Sequence, residues 1–206
     1  MRSGAGAKAW DLLAAFPVAC WFGLVAFASL REVLHADAWA EAPVERAVQL
    51  ANGIFALILI ALFVSRPAPV ARPAGWRAAA AGLIGGVAPM AIIFLPRGAI
   101  PPSVAQASNA LILLATLATI WIVLALGRSF SILPQARALV TGGPYRFVRH
   151  PLYLAEFVAL FALAWQFALP WSLLLWVVAA AAQFPRMHFE EQILSEAFPD
   201  YRDYAA

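Results

Sequence analysis

Four stretches of this chain are apolar for long enough to cross a bilayer as a helix, which takes about 20 residues. They run from Trp10 to Leu30, Ala47 to Ser65, Trp76 to Leu95 and Ala105 to Leu126. A fifth apolar region, Leu152 to Phe184, is interrupted by Pro170. Proline has no backbone N–H and disrupts the turn before it, so this region divides into Leu152 to Leu169 and Trp171 to Phe184, two short arms of a hairpin. Connections are short, and Pro67, Pro69, Pro73, Pro96, Pro101 and Pro102 mark helix ends. The pattern predicts an all-α fold: a polytopic transmembrane helical bundle of four spans plus a C-terminal helical hairpin, five to six membrane helices in all. Residues 1–206 read as a single integral membrane domain, with four spans in 1–126 and the hairpin in 127–206.

Composition agrees: 64% of the residues are hydrophobic and 12% charged, and mean hydropathy is +0.80, which excludes an ordinary water-soluble surface. The formal charge of +3 is spread between apolar segments rather than gathered in a patch, so it speaks for membrane topology and against a nucleic-acid partner. Cytoplasmic loops collect Lys and Arg. With the N-terminus inside, eleven of the fourteen basic residues fall on the cytoplasmic side and only Arg31, Arg46 and Arg97 outside. Both termini and the Arg128 to Arg149 loop are therefore expected in the cytoplasm, as in a bacterial inner-membrane protein. Arg2 and Lys8 before an apolar run imitate a signal peptide, but the run is too long for a signal core and reads as a retained span. The single cysteine, Cys20, allows neither an intramolecular disulfide nor a cysteine metal site. Gly82 and Gly86 form a G-x-x-x-G pair that lets membrane helices approach closely, either within the bundle or in a homodimer.

Reactive groups concentrate after Leu126. The stretch "GPYRFVRHPLY", Gly143 to Tyr153, gathers a Gly-Pro turn, two arginines, a histidine and two tyrosines directly before an apolar run. Pro151 suits the first position of a helix, whose free N–H groups and positive dipole end favour an anionic or polar ligand beside Arg149 and His150. Glu156 lies three residues beyond Tyr153, at a depth where a carboxyl requires a partner or water. It either lines the site or bonds another helix. The arginines also suit lipid phosphates and the tyrosines a membrane-interface belt. A second cluster, "RMHFEEQILSEAFPDY", carries Arg186, His188, Glu190 and Glu191. The hairpin returns it to the same membrane face, so a pocket between the two clusters is expected.

"LVTGGPYRFVRHPLYLAEF" followed by "FEEQILSEAFPDYRDY" resembles the isoprenylcysteine carboxyl methyltransferase family, which is related to membrane phospholipid methyltransferases; the likeness covers roughly Gly127 to Tyr204. It implies a membrane enzyme that moves the methyl group of S-adenosyl-L-methionine onto a lipophilic acceptor without a metal, leaving S-adenosyl-L-homocysteine. By this resemblance Arg137, Ala138, Leu139, Val140, Tyr145, His150, Pro151, Leu152, Tyr153 and Glu190 enclose the cofactor, and Arg149, beside the helix start, suits the cofactor carboxylate by its charge. The resemblance has Arg186 face the substrate and orient an acceptor carboxylate; by their chemistry Glu191 also suits the cofactor ammonium, His188 or Glu191 becomes a base candidate if the acceptor is an amine or thiol, and Glu156 is a further candidate for support. Ala155 stands where relatives often carry glycine, and "FPDY" replaces a Phe-Gly-x-x-Tyr pattern. These departures bear on the acceptor rather than on the cofactor contacts. Two other activities fit the same chemistry: phospholipid N-methylation, and NADPH-dependent reduction of the membrane sterol-reductase type.

Overall fold

Proline opens three of the helices: Pro43, Pro102 and Pro151 each stand in a first turn, where a missing N–H leaves no helical hydrogen bond unmade. The computed structural model describes residues 4–34, 39, 42–72, 75–131 and 133–205; Arg2, Pro73 and Ala206 lie outside these. Among the described residues the α-helices are α1 (Gly4–Leu34), α2 (Pro43–Ser65), α3 (Trp76–Val87), α4 (Pro102–Leu126), α5 (Pro151–Ala164), α6 (Trp171–Ala197) and α7 (Tyr201–Ala205). Short 3-10 helices cover Ala88–Phe94, Gly127–Ser129 and Gly143–Arg146. The protein is an all-α membrane helical bundle. Phe16–Leu34, Pro43–Ser65 and Pro102–Ser129 are each long and apolar enough to cross a membrane.

The third expected span departs from a single helix. Trp76 to Leu95 is α3 followed by the 3-10 helix Ala88–Phe94, because Pro89 cannot donate into an α-helical ladder. A 3-10 helix rises about 2.0 Å per residue against about 1.5 Å for an α-helix. The composite segment therefore still reaches roughly 30 Å, the thickness of a bilayer core. The fifth apolar region does divide before Trp171, but its first arm ends at Ala164, short of the expected Leu169, and its second arm runs on past Phe184 through Pro185 to Ala197 as one helix. That continuity carries Arg186, Glu190 and Glu191 on the same rigid rod as the apolar arm.

The helices pack in the order α1, α2, α4, α5, α6, α3. Leu59 and Phe63 of α2 meet Ile122 and Val123 of α4, Phe130, and Leu152 and Ala155 of α5 in a buried cluster, with Phe22 of α1 packed against it. Outward-facing positions are apolar too: Leu24, Phe27, Leu57, Leu114, Leu117, Trp121 and Leu124 are all exposed. Such a continuous apolar surface belongs against lipid rather than water.

The two ends of the bundle are tied differently. At one, the Gln166 side-chain amide donates to Ser108 Oγ at 2.9 Å and to Asn109 Oδ1 at 2.7 Å, and Gln166 Oε1 accepts from Arg97 at 2.8 Å. Asn109 in turn donates to Glu45 at 3.1 Å, and Ser108 to the Ala162 carbonyl at 2.7 Å. At the other end, Ala71 and Ala136 form an antiparallel bridge, and Arg137 donates to the Pro67 carbonyl and to Gln135. This pairing joins the connection after α2 to the connection after α4 and makes the floor of the polar end.

Glycine allows α3 to approach its neighbours. A Cβ on Gly82 would stand 2.7 Å from the Pro134 ring, and one on Gly85 would stand 3.1 Å from the Ala182 carbonyl and 3.3 Å from Arg186 Cδ. Gly82 thus packs within the chain, and Gly85, three residues on, seats α3 against the polar part of α6. Pairing of two copies through Gly82 and Gly86 remains a separate proposal. Replacing Gly85 with leucine is expected to destabilise the protein by about 1–3 kcal/mol through overpacking, seen as a lower midpoint of thermal unfolding in detergent. An unchanged midpoint would show that α3 does not seat α6 here.

Candidate active site

Gly143 adopts φ of +60°, a conformation that glycine reaches without strain, and turns the chain into the 3-10 helix that carries Tyr145. Tyr145 packs against the Leu59–Phe63–Val123 core, which fixes the loop to the bundle. His150 then caps α5 without a side-chain capping bond, so its ring is available to the neighbouring helix.

That neighbour is the end of α6. His150 Nε2 lies 2.8 Å from Glu191 Oε1, and an Arg149 guanidinium nitrogen 3.3 Å from the same oxygen. One turn into α5, the Tyr153 hydroxyl donates to Glu190 Oε2 at 2.5 Å. The Arg186 guanidinium lies 4.8 Å from the centre of the Tyr153 ring, within cation–π range. The two clusters separated by the hairpin therefore meet residue against residue.

Between them is a cavity of about 60 Å³. Arg137, Ala138, Leu139 and Val140 line it from the connection after α4, and Tyr145, Arg149, His150, Leu152 and Tyr153 from the turn and the start of α5. Arg186 and Glu190 line it from α6. Of the other expected residues, Pro151 is buried as the first residue of α5 and is not part of this lining. Glu191 and His188 face an adjoining open depression that shares Arg149 and Tyr201 with the cavity. Glu156 bonds Gln183 of α6 at 3.1 Å and lies outside both.

Several contributors were not singled out from sequence. Leu126, Leu133, Gln135 and Leu194 join the wall, and Tyr201 and Tyr204 close it from α7. The Tyr204 hydroxyl donates to the Tyr145 carbonyl at 2.6 Å, fastening the C-terminal helix to the Gly-Pro turn. Tyr201 is 4% exposed, and its hydroxyl has no hydrogen-bond partner. A buried, unsatisfied hydroxyl is costly and marks a place where a polar ligand atom would be favoured. The repeated tyrosines of "FPDYRDY", each three residues from the other, were the available signal.

Burial holds the phenol of Tyr145 well above its ordinary value, with Glu190 adding to the effect. Tyr201 is pushed up to about 12, by burial first and by the Glu191 charge second, and burial also raises Tyr204. All three are neutral hydrogen-bonding groups at physiological pH.

These features define an integral membrane protein with a polar, tyrosine-rich cleft at one end of a helical bundle. Residues 104–201 match the model of the phospholipid methyltransferase family, a family of membrane methyltransferases that includes the isoprenylcysteine carboxyl methyltransferases. The matched stretch runs from α4 across the cleft to Tyr201. A 75-residue segment is 37% identical to the nickel-cobalt-cadmium resistance protein NccN of Alcaligenes xylosoxydans xylosoxydans and spans 34% of this chain and 34% of that protein. No solved structure matches the chain.

The Tyr201 phenol is harder to ionise folded than unfolded. Between about pH 10 and about 12 the unfolded chain loses this proton first, so stability falls as pH rises through that window. Tyr201→Phe is expected to flatten that fall and, by removing an unsatisfied hydroxyl, to raise stability at neutral pH by about 1 kcal/mol. Thermal unfolding in detergent from pH 7 to 12 checks both; an unaltered slope would mean that Tyr201 titrates normally.

Proposed function

We propose that the protein is an S-adenosylmethionine-dependent methyltransferase that modifies a lipophilic acceptor at the membrane surface. The observation that carries this reading is the single cleft formed by the family-matched stretch, in which cations, a carboxylate and tyrosines from both sides of the hairpin converge. The cofactor's chemical inventory suits that donor set. Glu190 would take the ammonium, and Arg149, His150 and the start of α5 would take the carboxylate. The tyrosines and the Ala138–Val140 wall would take the flat base. Tyr201 offers its buried, unpartnered hydroxyl to the same ligand.

The bound cofactor supplies a methyl group on a positively charged sulfur. The chain's own residues bind it, align it with the acceptor and keep water out, which is where most of the rate in such a displacement arises. A cavity of about 60 Å³ is well below the roughly 300 Å³ or more of usual ligand pockets. Binding therefore separates the contacts that cross the cleft, chiefly Tyr204 with Tyr145 and Arg149 with Glu191. Arg186, which lines the cleft from α6, faces the acceptor in this reading; the sequence resemblance gives that acceptor as a carboxylate, as in isoprenylcysteine carboxyl methylation. The reading also places the cleft on the cytoplasmic side of a bacterial inner membrane.

Isothermal titration of the detergent-solubilised protein with S-adenosylhomocysteine and, separately, with NADPH tests the proposal. S-adenosylhomocysteine is expected to bind. Glu190→Gln is expected to weaken that binding about tenfold or more, the scale of a hydrogen bond to a charged group, and Tyr201→Phe to weaken it by a smaller factor. Binding of NADPH with no binding of S-adenosylhomocysteine would overturn the proposal in favour of a reductase.

A further inference from the structure

The two arginines before α5 suit lipid phosphates equally well by sequence, but the fold gives them different surroundings. Arg149 lies 3.3 Å from Glu191 and lines the cleft. Arg146 is exposed and lines neither the cleft nor the depression beside it. Its guanidinium stands over the Phe147 ring, 5.2 Å from the centre, and among the described residues no carboxylate pairs with it. Phe147 is itself 73% exposed, and Val148 is exposed beside it. Further on, Leu154 and Phe157 are exposed on α5, so residues 146–148 stand at the end of an outward apolar surface. The arrangement recurs at the start of α3, which follows the Ala71–Ala136 bridge at the same end of the bundle. There Trp76 is 76% exposed, and Arg77 is exposed without an ion pair among the described residues. An aromatic ring beside an unpaired arginine is satisfied where hydrocarbon meets phosphate, the ring entering the bilayer and the charge remaining at its surface.

We propose that residues 146–148, supported by Trp76 and Arg77, form a docking surface for acidic phospholipid in the leaflet at the cleft end of the bundle. A lipid phosphate supplies the counter-charge that Arg146 lacks, and Phe147 and Val148 enter the upper part of the acyl chains. Acidic lipid is selected over zwitterionic lipid because a choline head group brings its own cation beside the phosphate, which offsets the attraction to the guanidinium. One basic side chain at the surface of an acidic leaflet gains about fivefold in association. Tyr145 and His150 flank this segment, and both line the cleft. The lipid contact therefore fixes the rim of the cleft to the bilayer surface. This surface is separate from the residues assigned to the cofactor and does not depend on the reaction carried out in the cleft.

The test uses the full chain without cofactor in phosphatidylcholine nanodiscs, carrying Cys20→Ser and Val148→Cys so that a small bimane fluorophore can be attached at position 148 alone. Its quenching is followed as a minority of the lipid is replaced by phosphatidylglycerol or by phosphatidylcholine, each spin-labelled near the top of one acyl chain. Phosphatidylglycerol is expected to quench at about fivefold lower mole fraction than phosphatidylcholine. Adding Arg146→Gln is expected to bring the two lipids within about twofold of each other. Adding Phe147→Ser is expected to lower quenching by both, because the loop then withdraws toward water. Thermal unfolding confirms that each variant is folded. Quenching by neither lipid, equal quenching by both, or an acidic preference that survives Arg146→Gln overturns the proposal. Quenching unaltered by Phe147→Ser also overturns it, since the ring would then not hold the loop in the bilayer. No cofactor enters these measurements, so their failure is distinct from a failure of the S-adenosylhomocysteine titration.

Discussion

Two carboxylates one residue apart near the end of α6 hold the functional half of the molecule together. Glu191 takes His150 and Arg149, and Glu190 takes Tyr153. Each contact crosses from the beginning of α5 to the end of α6, so the open side of a helical hairpin is closed by charge and hydrogen bonding instead of by apolar packing. Removing these groups from water is costly unless each finds a partner. The pairing therefore dictates that α6 must extend past Pro185 and out of its apolar arm. A hairpin that stopped at Phe184 would leave Arg149 and His150 facing nothing.

The two ends of the bundle then differ in what their polar groups join. Gln166 spends its amide on Ser108 and Asn109 and its carbonyl on Arg97, while Asn109 passes the chain of bonds to Glu45. A network closed in this way specifies one arrangement and resists change. At the other end the Tyr201 hydroxyl is buried without a partner beside a small cavity. Beside it the Tyr204 hydroxyl donates to the Tyr145 carbonyl. What sets the cleft end apart is that its unpartnered hydroxyl lines a cavity shared with Arg149, His150, Arg186 and Glu190.

Much of this was legible in the residues themselves. Uninterrupted apolar runs named the long helices because a bilayer-length helix needs little beyond apolarity, and Pro170 named the hairpin because proline ends what precedes it. The two polar clusters could be matched because their charges are complementary and the hairpin returns one to the other. Less legible were features that depend on geometry. Pro89 turns one span into an α-helix and a 3-10 helix, yet its apolar neighbours hide the change from any hydropathy reading. Asn52, Ser108, Asn109 and Thr116 are isolated polar residues in apolar runs, and only helix packing brings Asn109 to Glu45 and Thr116 to Asn52. The G-x-x-x-G spacing directed attention to Gly82 and Gly86, and did not point to the close approach that α3 makes at Gly85.

Arg186 shows most clearly why residue type alone does not decide a role. Read along the chain it is a lone cation one turn before two glutamates, and an anionic partner is the natural inference. In the fold its guanidinium turns back toward α5, where a carboxylate that is distant in sequence and one turn deeper in the bundle reaches it. A positive residue whose charge is compensated within the protein acts on a ligand through shape and hydrogen bonding rather than net attraction. Glu156, the more exposed member of the pair, is the residue that does the compensating, and it ties α5 to α6 at the edge of the cleft that Arg186 lines.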